Sequence, residues 1–308
     1  MTNKTTSKKA AAKPNDVQKT KKSRFDKAKA AFVVFLLAWV ALSFTASQII
    51  VAYPMRMLLG EAATKPFWTL IYSILQYSLT LLLVIWLPPR VWRQSVARRN
   101  GTKTGNPKSR SDKPGQAVAK ATASVATPAQ SIAASAPQTA DSTEHNPLAT
   151  NRSEMGMGEF PTFVDIGLAP IGYVAYIIIA NVLITAMSVF QWFNAEQAQD
   201  VGFGYFITTG DRIMAMIALV LIAPVVEEII MRGWLYGKLR TKLGVVAATL
   251  LVSVLFGLLH GQWNVAVTTF ALSVVMCSLR EITGTIWSGI LLHMLSNGIA
   301  FYLLYIAI

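Results

Sequence analysis

The sequence predicts an all-α fold, a polytopic transmembrane helical bundle of about seven spans. Only 14% of the 308 residues are charged, whereas a soluble domain carries about 25% charged residues. Uncharged runs of roughly 20 residues recur along the chain, which is the length that a membrane-crossing helix needs. No barrel-type alternation is present, so helices are the structures that satisfy their backbone groups within lipid.

The basic residues are concentrated in two segments that flank predicted spans. Ten Lys and Arg residues lie in residues 1–30 and nine in residues 90–120, out of 28 in the chain. This arrangement follows the positive-inside rule. It favours a cytoplasmic N-terminus and contact with anionic lipid. Despite the net charge of +13, it argues against a nucleic-acid partner. We expect a bacterial plasma-membrane protein.

The first half of the chain divides into three segments. Residues 1–29 are rich in Lys, Thr and Ala and predict a disordered cytoplasmic tail. Residues 30–90 predict a two-helix transmembrane hairpin, with uncharged spans at Ala30–Met55 and Pro66–Pro89. Residues 91–160 are rich in Ser, Thr, Ala and Pro, which predicts a disordered cytoplasmic linker.

The second half, residues 161–308, predicts a five-helix transmembrane domain. Its uncharged runs are separated by short polar or charged stretches, which place the turns. The predicted spans cover Asp165–Ala195, Ile213 to about Lys238, Gly244–His260, Val265–Leu279 and Ile282–Ile308.

Charges interrupt the fourth span, in the stretch Ala223–Gly233. A charge in hydrocarbon costs about 2.5–3.5 kcal/mol on insertion scales, so Glu227, Glu228 and Arg232 require an explanation. Glu228 and Arg232 are four residues apart and lie on one helix face, where they form an ion pair. Glu227 points about 100° away without a local partner. The alternative is an ion pair at the membrane surface with Glu227 solvated.

Polar side chains also occur in the last spans. His260 ends the predicted fifth span, and His293 lies in the middle of the seventh. Asn297 follows His293 by one turn on the same face. An intramembrane ionisable residue is by default a functional candidate. Singly, each residue is equally consistent with a hydrogen bond between helices.

Two kinds of chemistry fit these residues. Glu227 with one of the two His residues activates water for peptide hydrolysis, while the other His and the Asn297 amide donate to the oxyanion. Alternatively, Glu227, His260 and His293 form a zinc site with an open position for water. For either chemistry, the fourth helix must continue past Arg232, because otherwise Glu227 lies at the membrane surface.

Three short motifs, in order on three spans, resemble the CPBP family. This family groups CAAX-processing and bacteriocin-processing proteins, also called Abi proteins or type II CAAX prenyl endopeptidases. The resemblance covers about residues 211–305. The motifs are Glu227-Glu228-x-x-x-Arg232, Phe256-x-x-x-His260 and His293-x-x-x-Asn297.

The resemblance implies an intramembrane endopeptidase that cleaves a peptide or membrane-protein substrate. Glu227 matches the family's catalytic glutamate and His260 the histidine that helps to activate water. His293 and Asn297 match the pair assigned to oxyanion stabilisation.

The resemblance also assigns Glu228 and Arg232 a supporting role. We expect a mechanism that needs no cofactor, because Asn is a poor zinc ligand. Zinc bound by Glu227, His260 and His293 is the alternative.

Two other functions compete with proteolysis. A proton-coupled transporter also places Glu and His within the membrane, although the halves of this chain show no repeat with paired broken helices. A non-catalytic immunity or scaffold protein retains the motifs without the activity.

Overall fold

The structure is a computed structural model that describes residues 14–103, 146–197 and 208–307. Within this part of the chain every regular element is helical and no strand occurs. The predicted all-α class is therefore confirmed. Residues 1–13 of the predicted tail and residues 104–145 of the predicted linker lie outside the described residues.

The described chain contains α-helices interrupted by short π-helical segments. The π segments are Leu82–Trp86, Ile217–Ile222 and Ile229–Tyr236, and a 3-10 turn covers Gly60–Thr64. The α-helices are α1 (Pro14–Leu59), α2 (Pro66–Leu81), α3 (Leu87–Lys103), α4 (Phe163–Met187), α5 (Thr209–Met216), α6 (Ala223–Glu228), α7 (Gly237–Leu243), α8 (Val245–Leu258), α9 (Trp263–Thr283) and α10 (Trp287–Tyr305).

Six helical runs of the described chain are long and apolar enough to cross a membrane. The chain is therefore a multi-pass membrane protein. The runs are Asp26–Thr64, Pro66–Ser95, Phe163–Met187, Thr209–Leu243, Trp263–Thr283 and Trp287–Tyr305.

The fifth predicted span, Gly244–His260, corresponds to a helix shorter than the six runs. α8 has 14 residues, or about 21 Å of helix, against a hydrocarbon core of about 30 Å. Gly244, with φ of 82°, precedes it, and a turn follows in which the His260 N–H donates to the Gly257 carbonyl. Residues 244–260 are almost uniformly apolar, so the hydropathy of the sequence does not show where this helix begins and ends.

The first and third helices extend beyond their predicted ends. α1 begins at Pro14 and α3 continues to Lys103, inside the segments 1–29 and 91–160 for which disorder was predicted. Proline is favoured in the first turn of a helix. Lys, Arg, Gln and Ala are good helix formers, a property that hydropathy does not measure.

The end of the predicted linker is also ordered. The buried Arg280 guanidinium donates to the Glu154 and Met155 carbonyls at 2.7 and 2.6 Å. The Ile286 N–H donates to the Gly156 carbonyl at 3.0 Å. These contacts fix the segment before α4 against the turn that joins α9 to α10. The sequence predicted disorder here because the partner, Arg280, is more than 120 residues away.

The chain forms two compact units. Within the described residues, one unit comprises the chain up to Pro88 together with the chain from Ala149, and the other runs from Pro89 to Leu148. In the second unit, the Asn146 amide donates to the Pro89 carbonyl at 2.9 Å.

Side-chain hydrogen bonds hold the α1–α2 hairpin together. The Ser47 and Thr80 hydroxyls are 2.6 Å apart in a buried contact. The Trp39 indole donates to the Leu83 carbonyl at 3.1 Å. In the unit that contains this hairpin, α9 packs against α4, α8 and α10. In the same unit, α2 packs against α5 and the π segment Ile217–Ile222. This packing brings the hairpin beside the charged stretch.

Candidate active site

The helix that carries Glu227 continues well beyond Arg232. The fourth run extends over Thr209–Leu243 without a break, because a π segment follows α6 and α7 follows that segment. All residues from Ile230 to Tyr236 are buried. The condition that the sequence set for a buried Glu227 is therefore met.

Glu228 and Arg232 form the predicted ion pair. Arg232 Nη1 donates to Glu228 Oε1 at 2.7 Å, and both side chains are fully buried, with 0% exposure. Arg232 also lies over the ring of Phe256, 4.5 Å from its centroid, which is a cation–π contact. The pair is internal, which argues against the alternative of an ion pair at the membrane surface.

His293 lies between the two carboxylates. Its Nδ1 donates to Glu228 Oε1 at 3.2 Å, and its Nε2 is 3.9 Å from Glu227 Oε2. Glu228 Oε1 thus accepts from both Arg232 and His293. The ring also packs edge-on against Phe256, with centroids 5.8 Å apart. These contacts fix the orientation of His293 relative to Glu227.

Glu227 has a partner that the sequence analysis missed. The Tyr77 hydroxyl, on α2, donates to Glu227 Oε1 at 2.7 Å. Glu227 itself is only 13% exposed at its side chain. The signal available in the sequence was the polar pair Gln76–Tyr77 in a span without charged residues. The resemblance to the CPBP family covers about residues 211–305 and not α2, so it did not predict a role for Tyr77.

His260 lies in the turn that follows α8. Its Nδ1 is 2.8 Å from the Phe256 carbonyl. A carbonyl oxygen only accepts, so Nδ1 carries the hydrogen. In the neutral ring, Nε2 is then the unprotonated nitrogen that is able to accept a proton. Among the described residues, no hydrogen bond joins His260 to Glu227.

Asn297 is held by the backbone of the fourth run. Its Nδ2 donates to the Leu219 carbonyl at 2.9 Å. This carbonyl lacks its helical partner for a reason visible in the sequence. The Ala223 N–H donates to the Ala218 carbonyl, and the next residue, Pro224, has no N–H. Asn297 therefore forms the hydrogen bond between helices that the sequence analysis gave as one alternative. The second hydrogen of its amide remains for another acceptor.

One cavity is lined by Tyr77 and by the four predicted catalytic residues. Its volume is about 470 Å³, and Glu227, His260, His293 and Asn297 all line it. The structure thus brings together the four residues that the sequence predicted as catalytic. The α1–α2 hairpin contributes a further part of the lining, from Phe44, Gln48, Gln76 and Tyr77.

The geometry does not favour the alternative zinc site. In the described ranges, no group of three or more His, Cys, Asp or Glu side chains has an arrangement suited to a metal ion. Glu227, His260 and His293 line the cavity but do not form such a group.

Comparison with known proteins identifies one family. Residues 209–299 match the model of the type II CAAX prenyl endopeptidase Rce1-like family. No curated protein and no solved structure matched the chain.

The matched region covers α5 to most of α10, the elements that supply Glu227, His260, His293 and Asn297. It contains the three motifs in full, while α1 and α2, with Tyr77, lie outside it. Residues 209–299 of this multi-pass membrane protein are thus similar to the Rce1-like family of type II CAAX prenyl endopeptidases.

Proposed function

We propose that this protein is an intramembrane endopeptidase that hydrolyses a peptide bond of a peptide or membrane-protein substrate. The observation that carries the proposal is that Glu227, His260, His293 and Asn297, from three separate helical regions, line one cavity of about 470 Å³. Together they supply the base, the proton acceptor and the oxyanion donors that peptide hydrolysis needs.

Water activation is assigned to Glu227 and His260. A water molecule in the cavity donates one hydrogen to Glu227 Oε2, and His260 Nε2 accepts the other. Tyr77 supports this role, because its hydroxyl occupies Glu227 Oε1 and leaves Oε2 for the water.

Proton transfer from the water and its attack on the scissile carbonyl then follow, as in other peptide hydrolyses. Glu227 takes a proton as the water oxygen bonds to the scissile carbonyl carbon, whose oxygen becomes an oxyanion. Asn297 donates its second amide hydrogen to this oxyanion, and His293 Nε2, when protonated, donates another. The carbon–nitrogen bond breaks, and Glu227 returns the proton to the leaving nitrogen.

Glu228 and Arg232 position His293 and do not contact the substrate. Arg232 holds Glu228 by a buried bond of 2.7 Å, and Glu228 in turn accepts from His293 Nδ1. A ring nitrogen held by a carboxylate has a fixed orientation. The ion pair therefore keeps the Nε2 edge of His293 facing Glu227.

The cellular setting follows from the charge distribution. We place the N-terminus in the cytoplasm of a bacterial cell and the spans in its plasma membrane. The basic residues of segments 1–30 and 90–120 contact anionic lipid, and nucleic acid is not a partner. The substrate reaches the cavity from within the membrane or its surface.

The proposal is tested with the purified full-length protein in detergent. We expect it to cleave a farnesylated peptide that ends in Cys-Val-Ile-Met, the type of sequence that carries a prenyl group. Glu227→Gln and His260→Ala should each lower kcat by at least about 100-fold while the protein remains monodisperse. Mass spectrometry identifies the cleaved bond.

Substrate capture covers the case of a different natural substrate. The Glu227→Gln protein, expressed in bacterial membranes, should retain an uncleaved protein that the wild-type protein converts to two fragments. If neither the farnesylated peptide nor any captured protein is cleaved by the wild-type protein, the proposed function is wrong. Activity that is unchanged in both variants would refute the assigned roles.

A further inference from the structure

The α1–α2 hairpin contributes to the cavity a polar side chain that has no role in the proposed mechanism. Gln76, next to Tyr77 on α2, lines the cavity and is only 6% exposed. No hydrogen bond to its carboxamide occurs among the described residues, since the one bond at Gln76 goes to its backbone carbonyl, from Thr80. A carboxamide buried without a partner requires a ligand or water to satisfy it.

We propose that Gln76 binds a main-chain peptide group of the substrate beside Glu227, and so selects for peptide rather than lipid at this wall. This inference rests on the proposed function and names a recognition group for it. It lies outside residues 209–299, the region that matches the family.

The chemistry of the side chain favours a peptide group. A carboxamide has one acceptor oxygen and two donor hydrogens, which complement the N–H and C=O of a peptide bond. A prenyl or acyl chain has neither donor nor acceptor and would leave the carboxamide unsatisfied. Selectivity against such an occupant follows from the group left unpaired.

The position of Gln76 is fixed before any ligand binds. Its neighbour Tyr77 is hydrogen-bonded to Glu227 at 2.7 Å. One turn on, Thr80 contacts the Ser47 hydroxyl of α1 at 2.6 Å. Two bonds thus hold α2 in place, so the backbone that carries Gln76 is already positioned when a ligand binds.

The test measures binding separately from cleavage. The probe is a fluorescein-labelled, farnesylated peptide ending in Cys-Val-Ile-Met, and the binding protein is the Glu227→Gln variant, which keeps an acceptor for Tyr77. Fluorescence anisotropy gives the Kd. A set of probes replaces one amide at a time by an ester, which removes the N–H and weakens the carbonyl as an acceptor.

We expect Gln76→Met, made in the Glu227→Gln protein, to weaken probe binding about tenfold, the value of one neutral hydrogen bond. One ester position should weaken binding to the Gln76 protein by a similar factor and have no further effect in the Gln76→Met protein. Gln76→Asn, which keeps the amide one methylene shorter, should fall between the two. Gln191→Met, the same change at an exposed residue, should bind normally.

Other results overturn the inference. Equal affinity of the Gln76 and Gln76→Met proteins would do so, as would an ester penalty that persists in Gln76→Met. A probe that binds to neither protein also contradicts it. A probe that binds in a Gln76-dependent way, but that the wild-type protein does not cleave, refutes the proposed function and leaves the recognition role intact.

Discussion

The Tyr77 hydroxyl donates to Glu227 Oε1 at 2.7 Å, joining α2 to α6 across 150 residues of sequence. The other carboxylate oxygen, Oε2, lies 3.9 Å from His293 Nε2. Each oxygen of Glu227 thus has its own neighbour, one from outside the family region and one from inside it. The site is therefore assembled from both halves of the chain.

Removal of the Tyr77 hydroxyl should lower turnover. In Tyr77→Phe the Glu227 carboxylate loses its donor, and a hydrogen bond to a charged group contributes about 1.5–3 kcal/mol. We expect kcat to fall at least about tenfold with KM within about twofold. Steady-state kinetics on the farnesylated peptide measure both constants.

The matched control is Tyr72→Phe, on the same helix but not among the residues that line the cavity. It should leave kcat unchanged. If Tyr72→Phe and Tyr77→Phe have the same effect, then loss of a tyrosine hydroxyl from α2 acts on packing, and the positioning role of Tyr77 is wrong.

The Glu228–Arg232 pair should show strong coupling in stability. Both side chains are fully buried, and removing one partner of such a pair costs about 3–5 kcal/mol because the other charge is left unpaired. We expect Arg232→Met to lower the Tm in detergent more than the double variant Glu228→Gln/Arg232→Met does. If the double variant loses as much Tm as the two single variants together, the two residues do not depend on each other.

Gly289 should not tolerate even a methyl group. A Cβ at this position would lie 3.1 Å from Glu228 Oε2, whereas one at Gly167 in α4 meets no atom within 4 Å. Gly289→Ala should therefore lower both Tm and activity, with overpacking costing about 1–3 kcal/mol. Gly167→Ala should be neutral or slightly stabilising, since alanine favours a helix over glycine. Equal behaviour of the two variants would contradict the tight contact at Glu228.

The two roles of Asn297 can be separated through Pro224. Asn297→Ala leaves the Leu219 carbonyl without its donor, at a cost of about 1–3 kcal/mol if water does not replace it. Adding Pro224→Ala restores a backbone N–H to this turn. We expect the double variant to recover most of the lost Tm but not the lost kcat. Recovery of both would make Asn297 a structural residue only.

Metal removal should leave activity intact. We expect the protein treated with EDTA, then dialysed into chelator-free buffer, to keep its kcat on the farnesylated peptide, because the proposed steps use only side chains. Elemental analysis of the same sample measures bound zinc. Loss of activity with EDTA and recovery with added zinc would establish the alternative mechanism.

Most of the helical architecture was predictable because membrane spans have a simple physical signature. Uncharged runs of sufficient length located five of the predicted spans near the helical runs observed at Pro66–Ser95, Phe163–Met187, Thr209–Leu243, Trp263–Thr283 and Trp287–Tyr305. The first predicted span, Ala30–Met55, lies within the run Asp26–Thr64. The short α8 was not predictable, because hydropathy measures apolar content and not where backbone turns occur.

Local spacing also predicted part of the site. The four-residue separation of Glu228 and Arg232 is a property of any α-helix, and the pair forms at 2.7 Å even though the helix passes into a π segment. The order of the three motifs identified the family before any geometry was known.

Composition and local spacing were enough to predict the six long apolar helical runs, the ion pair within one helix and the family that the second half resembles. Tertiary packing was needed to show that Tyr77 donates to Glu227, that Asn297 satisfies the carbonyl of Leu219, and that Arg280 fixes the end of the linker. Each of these contacts joins residues more than 70 positions apart. Such pairings depend on how the helices pack, and hydropathy and local spacing do not reveal that packing.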